Sequence, residues 1–218
     1  MVFWWIMRGF FVTIEGIEGS GKTTQTRLLA EALRRHGRAV MLTHEPGATP
    51  AGAAIRRIFL DASIPLDRTA ELLLVLADRA QHVREQLAEE LQRGTIVISD
   101  RYCDSTIAYQ GYGRRFDLKL LDDLNRFAGN GLVPDLTLIL DCPVEVGLRR
   151  VQERRSSAAP INDRFEGENA EFHQRVRDGF LAIARREPAR TRVIDATPAR
   201  ELVAATIQAV VTTALEGR

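Results

Sequence analysis

Cysteine is scarce: the 218 residues hold only Cys103 and Cys142, and neither lies in a Cys-x-x-Cys pair. That excludes a disulfide framework and gives no zinc or redox signature, so both read as reduced thiols of a cytosolic protein. Unbroken apolar runs are short, well below the roughly 18 residues of a membrane span. Net charge is almost absent, with 30 Lys+Arg against 29 Asp+Glu and a formal charge of +1. A polynucleotide or an anionic membrane normally calls for a basic surface, so a small, compact ligand is the expected partner. Lysine itself is nearly missing: 28 of the 30 basic residues are Arg, which makes Lys22 and Lys119 worth inspecting. The apolar start Met1-Val-Phe-Trp-Trp-Ile6 has no basic flank and no small-residue cleavage site, so it does not read as a signal peptide. With Met7 directly behind it, an upstream start codon and a frayed extension are expected; a membrane-touching tail is the sharper alternative.

What is present is enough apolar material, 45% of the chain, for one well-cored domain. Apolar runs rich in β-branched residues recur at Phe10 to Glu15, Ala39 to Thr43, Thr95 to Ser99, Leu136 to Leu140 and Thr191 to Ile194. Such runs suit strands buried on both faces, so the class is α/β with a mainly parallel sheet. Helical periodicity fills the gaps. A helix starts near Lys22 and ends by Gly37, with Leu28, Leu29, Ala32 and Leu33 turned inward. A long one covers Thr69 to Gln92, with Leu72, Leu76, Val83, Leu87 and Leu91 on one stripe and Gly94 as its stop. Others fit Ala51 to Leu60, Lys119 to Ala128, Val144 to Arg155, Asn169 to Arg186 and Ala199 to Leu215. Ser156 to Asp163, rich in small and breaker residues, reads as a mobile excursion.

The sharpest local signal is Gly16-Ile17-Glu18-Gly19-Ser20-Gly21-Lys22-Thr23, followed by Thr24. It matches Gly-x-x-x-x-Gly-Lys-Thr and sits between a strand and a helix, the context the motif requires. The glycines allow a turn that aims backbone N–H groups at phosphate oxygens, Lys22 reaches the β/γ-phosphates, and the Thr23 hydroxyl ligates Mg²⁺. A glycine-rich turn without ligand is the bland alternative. A guanine-nucleotide switch is disfavoured, because Lys119 sits in Asp-Leu-Lys-Leu rather than Asn-Lys-x-Asp and the strand at Ile96 to Ser99 runs into Asp100-Arg101-Tyr102-Cys103.

Several charges fall where a core should be. Arg79 lies on the apolar stripe of the long helix and needs an anion, a structural carboxylate or a water-filled cleft. Asp100 and Arg101 end a buried strand at the edge where open α/β sheets bind ligands; a metal for one and a phosphate for the other are weighed against a salt-bridged strand end. For Arg56 and Arg57 a solvated helix face serves equally well. Arg149, Arg150, Arg154 and Arg155, then Arg164, flank the excursion. They are a solvated run or an Arg-rich flap that closes on a phosphoryl group.

Taken together these residues resemble the thymidylate kinase family in its bacterial form, from about Phe10 to the C-terminus. The marks are the loop, His44-Glu45-Pro46-Gly47, Leu76-Ala-Asp-Arg79-Ala-Gln81, Asp100-Arg101-Tyr102, Ser105-Thr106-Ile-Ala-Tyr109-Gln110-Gly111, Pro134-Asp135 and Asp163-Arg164-Phe165-Glu166. The resemblance implies a P-loop kinase fold of five parallel strands flanked by helices with a mobile lid, a homodimer packed through helices, and transfer from ATP to dTMP with Mg²⁺. It implies that Glu18 approaches the sugar 3′-hydroxyl, that Arg56, Arg79 and Arg101 hold the acceptor phosphate, and that Thr106 and Gln110, with Arg79, face the thymine edge. Tyr109 lies near the sugar and Asp100 serves the metal or its water shell; residues 16 to 24 and Arg150 bind ATP. Because Glu18-Gly19-Ser20 carries no Arg, the catalytic guanidinium comes from the lid, with Arg154 the best match. Two departures stand out: His44 replaces an Arg that is frequent in the family, and Val75 replaces a Phe that stacks on the base. The expected organisation is an extension at 1–9, one domain at 10–218 and a lid at about 149–165, in a cytoplasmic protein without membrane or nucleic-acid partner. The rivals are a P-loop kinase of another deoxynucleoside monophosphate and a non-catalytic ATP-dependent interaction protein.

Overall fold

The structure, a computed structural model, describes residues 9–156 and 164–217. Five strands form one parallel sheet: β1 (Phe10–Glu15), β2 (Val40–His44), β3 (Ile96–Asp100), β4 (Leu136–Asp141) and β5 (Thr191–Asp195). Their order is β2-β3-β1-β4-β5, with β1 central between β3 and β4. Every residue of β1 is buried, which is why the sequence shows a continuous run there and not an alternation. The strands end, in order, on Glu15, His44, Asp100, Asp141 and Asp195, so the carboxyl edge of the sheet is polar throughout.

Helices cover both faces, and their boundaries follow their caps. Thr49 accepts from Gly52 N–H at the start of α2 (Pro50–Leu60), and Asp67 accepts from Thr69 N–H at the start of α3 (Arg68–His82). Asp117 caps α6 (Leu118–Ala128) and Asn169 caps α8 (Ala170–Arg186) in the same manner. By contrast α1 (Lys22–Arg35) has no side-chain cap and opens at Gly21 with φ 93°. No side chain caps its first turn, an arrangement open to an external anion. Within α1, Leu29, Ala32 and Leu33 are buried as expected while Leu28 is half-buried.

The long helix expected from Thr69 to Gln92 is present but not uniform. α3 runs through a π-helical stretch, Val83–Leu87, into α4 (Ala88–Gln92), and Leu72, Leu76, Val83, Leu87 and Leu91 are all buried. One element escaped the sequence reading. α5 (Cys103–Thr106) continues as a π-helical segment, Ile107–Gly113, in which six of seven residues are buried. A segment buried all round has no polar face and shows no helical stripe. Gly113 belongs there because a Cβ would come within 2.7 Å of the Phe172 ring, so glycine lets this segment lie tight against α8. Two more helices complete the fold, α7 (Val144–Ser156) and α9 (Arg200–Glu216).

Gly9, assigned above to the extension, belongs to the folded body: its N–H donates to Leu91 O at 2.7 Å. Residues 1–8 of that extension, and 157–163 at the centre of the expected excursion and lid, lie outside the described residues. No described helix is long and apolar enough to cross a membrane.

Candidate active site

The carboxyl edge of β1, β2 and β3 opens into a cleft of about 740 Å³, within the usual range for small-molecule sites. The loop after β1 forms one end. Gly19 has φ 73°, and a Cβ there would fall 2.1 Å from Gly147 O, so only glycine lets the loop pass α7. Lys22, expected to reach the β/γ-phosphates, is only 8% exposed. Its Nζ donates to Gly16 O at 3.0 Å and Ile17 O at 2.8 Å. Burial, with the charge of Arg101 nearby, brings the ammonium down to about 8 although Asp100, Glu18 and Glu15 pull the other way. Thr23 Oγ1 donates to Asp100 Oδ2 at 2.6 Å, so the two residues singled out for a metal are adjacent.

Arg150 sits behind the loop, outside the cleft lining, where its guanidinium donates to Gly19 O, Ala196 O and Thr197 O. It ties the loop to the turn after β5. Thr24 extends the loop into α1 through its N–H to Gly21 O.

The other end of the cleft is built around two arginines. Arg79 is wholly buried and finds both the carboxylate and the cleft that the sequence argument demanded. Its Nε donates to Glu45 Oε2 at 3.0 Å, one terminal nitrogen donates to Thr106 Oγ1 at 3.0 Å and to Asn125 Oδ1, and the guanidinium lies 5.0 Å from the Tyr102 ring centre. The other terminal nitrogen has no hydrogen-bond partner among the described residues. A buried donor of that kind is costly unless a ligand completes it.

Arg101 stands at φ 74°, a backbone region unfavourable to any residue but glycine and held only where neighbours enforce it. Its terminal nitrogens donate to Gly16 O, Ser105 Oγ, Glu18 Oε1 and Tyr109 OH. Tyr109 OH also donates to Glu18 Oε1 at 2.5 Å. Burial would push the Glu18 carboxyl up, but His173, Arg101, Lys22 and Tyr109 together outweigh it and hold the group at about 2. Glu18 is therefore a carboxylate at any working pH.

Arg56 and Arg57 divide. Arg56 turns to the cleft and donates to Pro46 O at 2.7 Å, while Arg57 is exposed. Val75 and Gln110 line the cleft beside Thr106 and Tyr109. Gln110 Nε2 donates to Glu71 Oε1 at 2.9 Å, and Glu71 is itself held by Arg114. The aromatic surface missing at Val75 is supplied from elsewhere: Phe59 and Phe165 line the cleft with ring centres 5.2 Å apart, and Tyr109 meets Phe165 edge-on at 5.4 Å. Arg154, expected in a lid, reaches the cleft and pairs with Glu166 at 2.5 Å with its side chain 60% exposed. Arg164 donates to the carbonyls of Phe59, Asp61 and Ile64 and so is tied to the end of α2 and the turn after it.

Four carboxylate and imidazole groups that organise this site were given no role by the sequence reading. Glu15, fully buried at the end of β1, accepts from Tyr102 N–H at 2.7 Å and Ser105 Oγ at 2.6 Å, and so fastens the turn that carries Arg101. Burial, with the charge of Asp104 beside it, pushes its carboxyl well above the usual range. Glu45 binds Arg79 and His82, Glu71 orients Gln110, and His173 approaches Glu18. A charged residue closing an all-apolar strand was the available signal for Glu15. The others become visible only when separate elements meet.

An uncapped helix behind a glycine loop, a buried lysine parked on loop carbonyls, and arginines facing it across a cleft define a P-loop phosphoryl-transfer enzyme. Comparison with known proteins narrows the class. A family model described as thymidylate kinase matches residues 14–207. The thymidylate kinase of Carboxydothermus hydrogenoformans is 54% identical over 189 residues, covering 87% of this chain and 90% of that protein. That of Solidesulfovibrio magneticus is 50% identical over 204 residues, covering 92% and 98%. The crystal structure of thymidylate kinase from Ehrlichia chaffeensis superposes with a TM-score of 0.76 at 36% identity, over 94% of this chain and 99% of that one. The chain belongs to the thymidylate kinase family.

Proposed function

We propose that the protein phosphorylates dTMP to dTDP with ATP as donor and Mg²⁺ as the metal, in the cytoplasm, as a single domain whose lid spans about 149–165. The observation that carries this reading is the facing of Lys22 and Arg79 across one cleft in a member of this family. The loop residues Gly16 to Thr24 cradle the ATP phosphates and Arg150 holds that cradle to the β5–α9 turn. Arg56 and Arg101 hold the acceptor phosphate, and Glu18 and Tyr109 take the sugar. The Thr23 hydroxyl and Asp100 carboxylate are hard oxygen donors 2.6 Å apart, which suits Mg²⁺ because it takes few protein ligands and completes its shell with phosphate and water. Held by the Thr23 hydroxyl and the Asp100 carboxylate, it would supply neutralisation of the donor's phosphate charge. The residues of the chain then act by position: Lys22 solvates the donor phosphates, the arginines fix the acceptor oxygen in line, and the lid excludes water.

The base end favours thymine over cytosine by donor and acceptor pattern. Glu71 takes the Gln110 amide N–H, which leaves the Gln110 carbonyl oxygen to accept from a base N–H, while the unpartnered Arg79 nitrogen supplies a donor for a base carbonyl. Cytosine presents the opposite groups at both places, so buried partners would stay unpaired. An ADP-release assay across the nucleoside monophosphates tests this: dTMP is expected to exceed dCMP strongly, and dUMP, lacking one methyl, by about 10- to 200-fold in kcat/KM. Val75→Phe should tighten dTMP if the cleft has room and clash if Phe59 and Phe165 already fill it. A better rate with dCMP or a purine monophosphate would retract the thymidylate assignment to a P-loop kinase of another acceptor.

The protein is further proposed to act as a homodimer. α3 and α6 pack together and leave Leu73, Leu120 and Phe127 exposed, Phe127 by 86%. Large side chains left in water on two adjacent helices are the surface a second copy would cover. Sedimentation should give a dimer for the wild type and a monomer for Phe127→Asp; a wild-type monomer at high concentration ends this reading.

A further inference from the structure

Three buried polar atoms on two neighbouring side chains have no hydrogen-bond partner among the described residues: Glu18 Oε2 and both ring nitrogens of His173. His173 stands on α8, 1% exposed, with its ring edge-on to Phe172 at 5.7 Å. Its Nδ1 lies 3.3 Å from Glu18 Oε2, within ion-pair range yet out of line for a hydrogen bond. Buried polar atoms are normally satisfied, and a histidine with neither nitrogen bonded has no packing reason to be a histidine. A phenylalanine or leucine would fill the space against Phe172 without desolvating two nitrogens.

The opposite oxygen of Glu18 is well served, by Arg101 at 3.0 Å and Tyr109 at 2.5 Å. Arg101, however, is one of the residues assigned to the acceptor phosphate, and both hydrogens of the nitrogen that holds Glu18 are already used, by Glu18 Oε1 and Tyr109 OH, so turning it to a phosphate oxygen loosens that pair of bonds. We propose that His173 is a positioning residue that takes hold of Glu18 Oε2 when Arg101 turns to the acceptor, keeping the carboxylate aimed at the sugar during turnover. A small rotation of the imidazole brings Nδ1–H into line with Oε2. The bond that forms is charge-assisted and buried, the kind that holds geometry well. His173 touches no substrate, since it lies behind Glu18 and does not line the cleft.

This rests on the reading that Glu18 contacts the acceptor sugar, and a double-mutant cycle separates the two. In His173→Phe the kcat/KM for dTMP is expected to fall about 10-fold or more, the usual weight of a hydrogen bond to a charged group, with KM for ATP unchanged. His173→Asn, whose amide can donate from nearly the same place, should recover most of the loss. In a Glu18→Ala background, which leaves no acceptor at that place, the same His173→Phe change should cost nothing further. Equal losses in the two backgrounds, an Asn variant no better than Phe, or a lowered Tm with unaltered kcat/KM would each overturn the proposal. Failure of the parent reading looks different: the wild type would not turn over dTMP, or Glu18→Ala would leave its kcat/KM untouched. Should His173→Phe not fold, His173→Leu goes through the same cycle.

Discussion

Lys22→Ala is expected to lower kcat by about 10²- to 10³-fold or more, as removal of a preorganised charge-stabilising group does, while leaving the fold in place. The side chain is buried, but the surface it contacts is the phosphate loop and not the apolar core. Its two acceptors are backbone carbonyls, and Gly16 O keeps a second donor in Arg101. The destabilisation should therefore amount to about one ordinary hydrogen bond, about 1 kcal/mol. The loss in turnover is larger because nothing else in the described loop carries a full positive charge to the β/γ-phosphates. Steady-state kinetics at saturating ATP and dTMP, beside a thermal melt, checks this. A variant with an unchanged Tm and more than half the wild-type kcat would remove Lys22 from the mechanism.

The second large effect is expected at Arg154. The phosphate loop carries no arginine, so on the proposed reading the guanidinium that answers for the charge of the phosphoryl group in flight comes from another element. Arg154 lines the cleft, is mostly solvent-exposed and pairs with Glu166 at the cleft's rim. Such a side chain can swing. Arg150 cannot do so at the same cost, because three backbone carbonyls hold its guanidinium away from the cleft. Arg154→Ala should then lower kcat by about 10³-fold or more, as loss of an arginine finger does, with a smaller change in acceptor KM. A loss confined to KM would assign Arg154 to ground-state binding and leave the transition-state charge to another lid residue.

Much of this molecule could be read from its residues in order. The phosphate loop is local: the glycines, Lys22 and Thr23 lie within eight positions, and their chemistry depends on a turn that the same residues make. The central strands β1, β3 and β4 were legible because burial on both faces leaves an unbroken apolar run, the less buried edge strands β2 and β5 from their β-branched residues, and the helices from the apolar periodicity between them. Arg79 announced itself as a charge on an apolar stripe, which can persist only beside a partner or a ligand.

What the sequence left open is what depends on residues far apart in the chain meeting in space. Glu15 meets Tyr102 N–H across 87 positions and so fastens the turn at Arg101, Glu45 meets Arg79 across 34, and Gln110 meets Glu71 across 39. None of these pairs has a periodicity or a spacing to betray it. The helix from Cys103 to Gly113 was hidden because it is buried on every side, which erases the amphipathic signal. Arg56 and Arg57 are neighbours with one composition and two fates, decided by which of them faces the turn at Pro46. The sequence by itself determined that a phosphate would be held at the end of β1. The packing of α3, α8 and the buried helix against that edge decided which carboxylates, amide and imidazole aim the residues at the acceptor, because orientation in a low-dielectric cleft is set by neighbours that only the tertiary fold brings within hydrogen-bond reach.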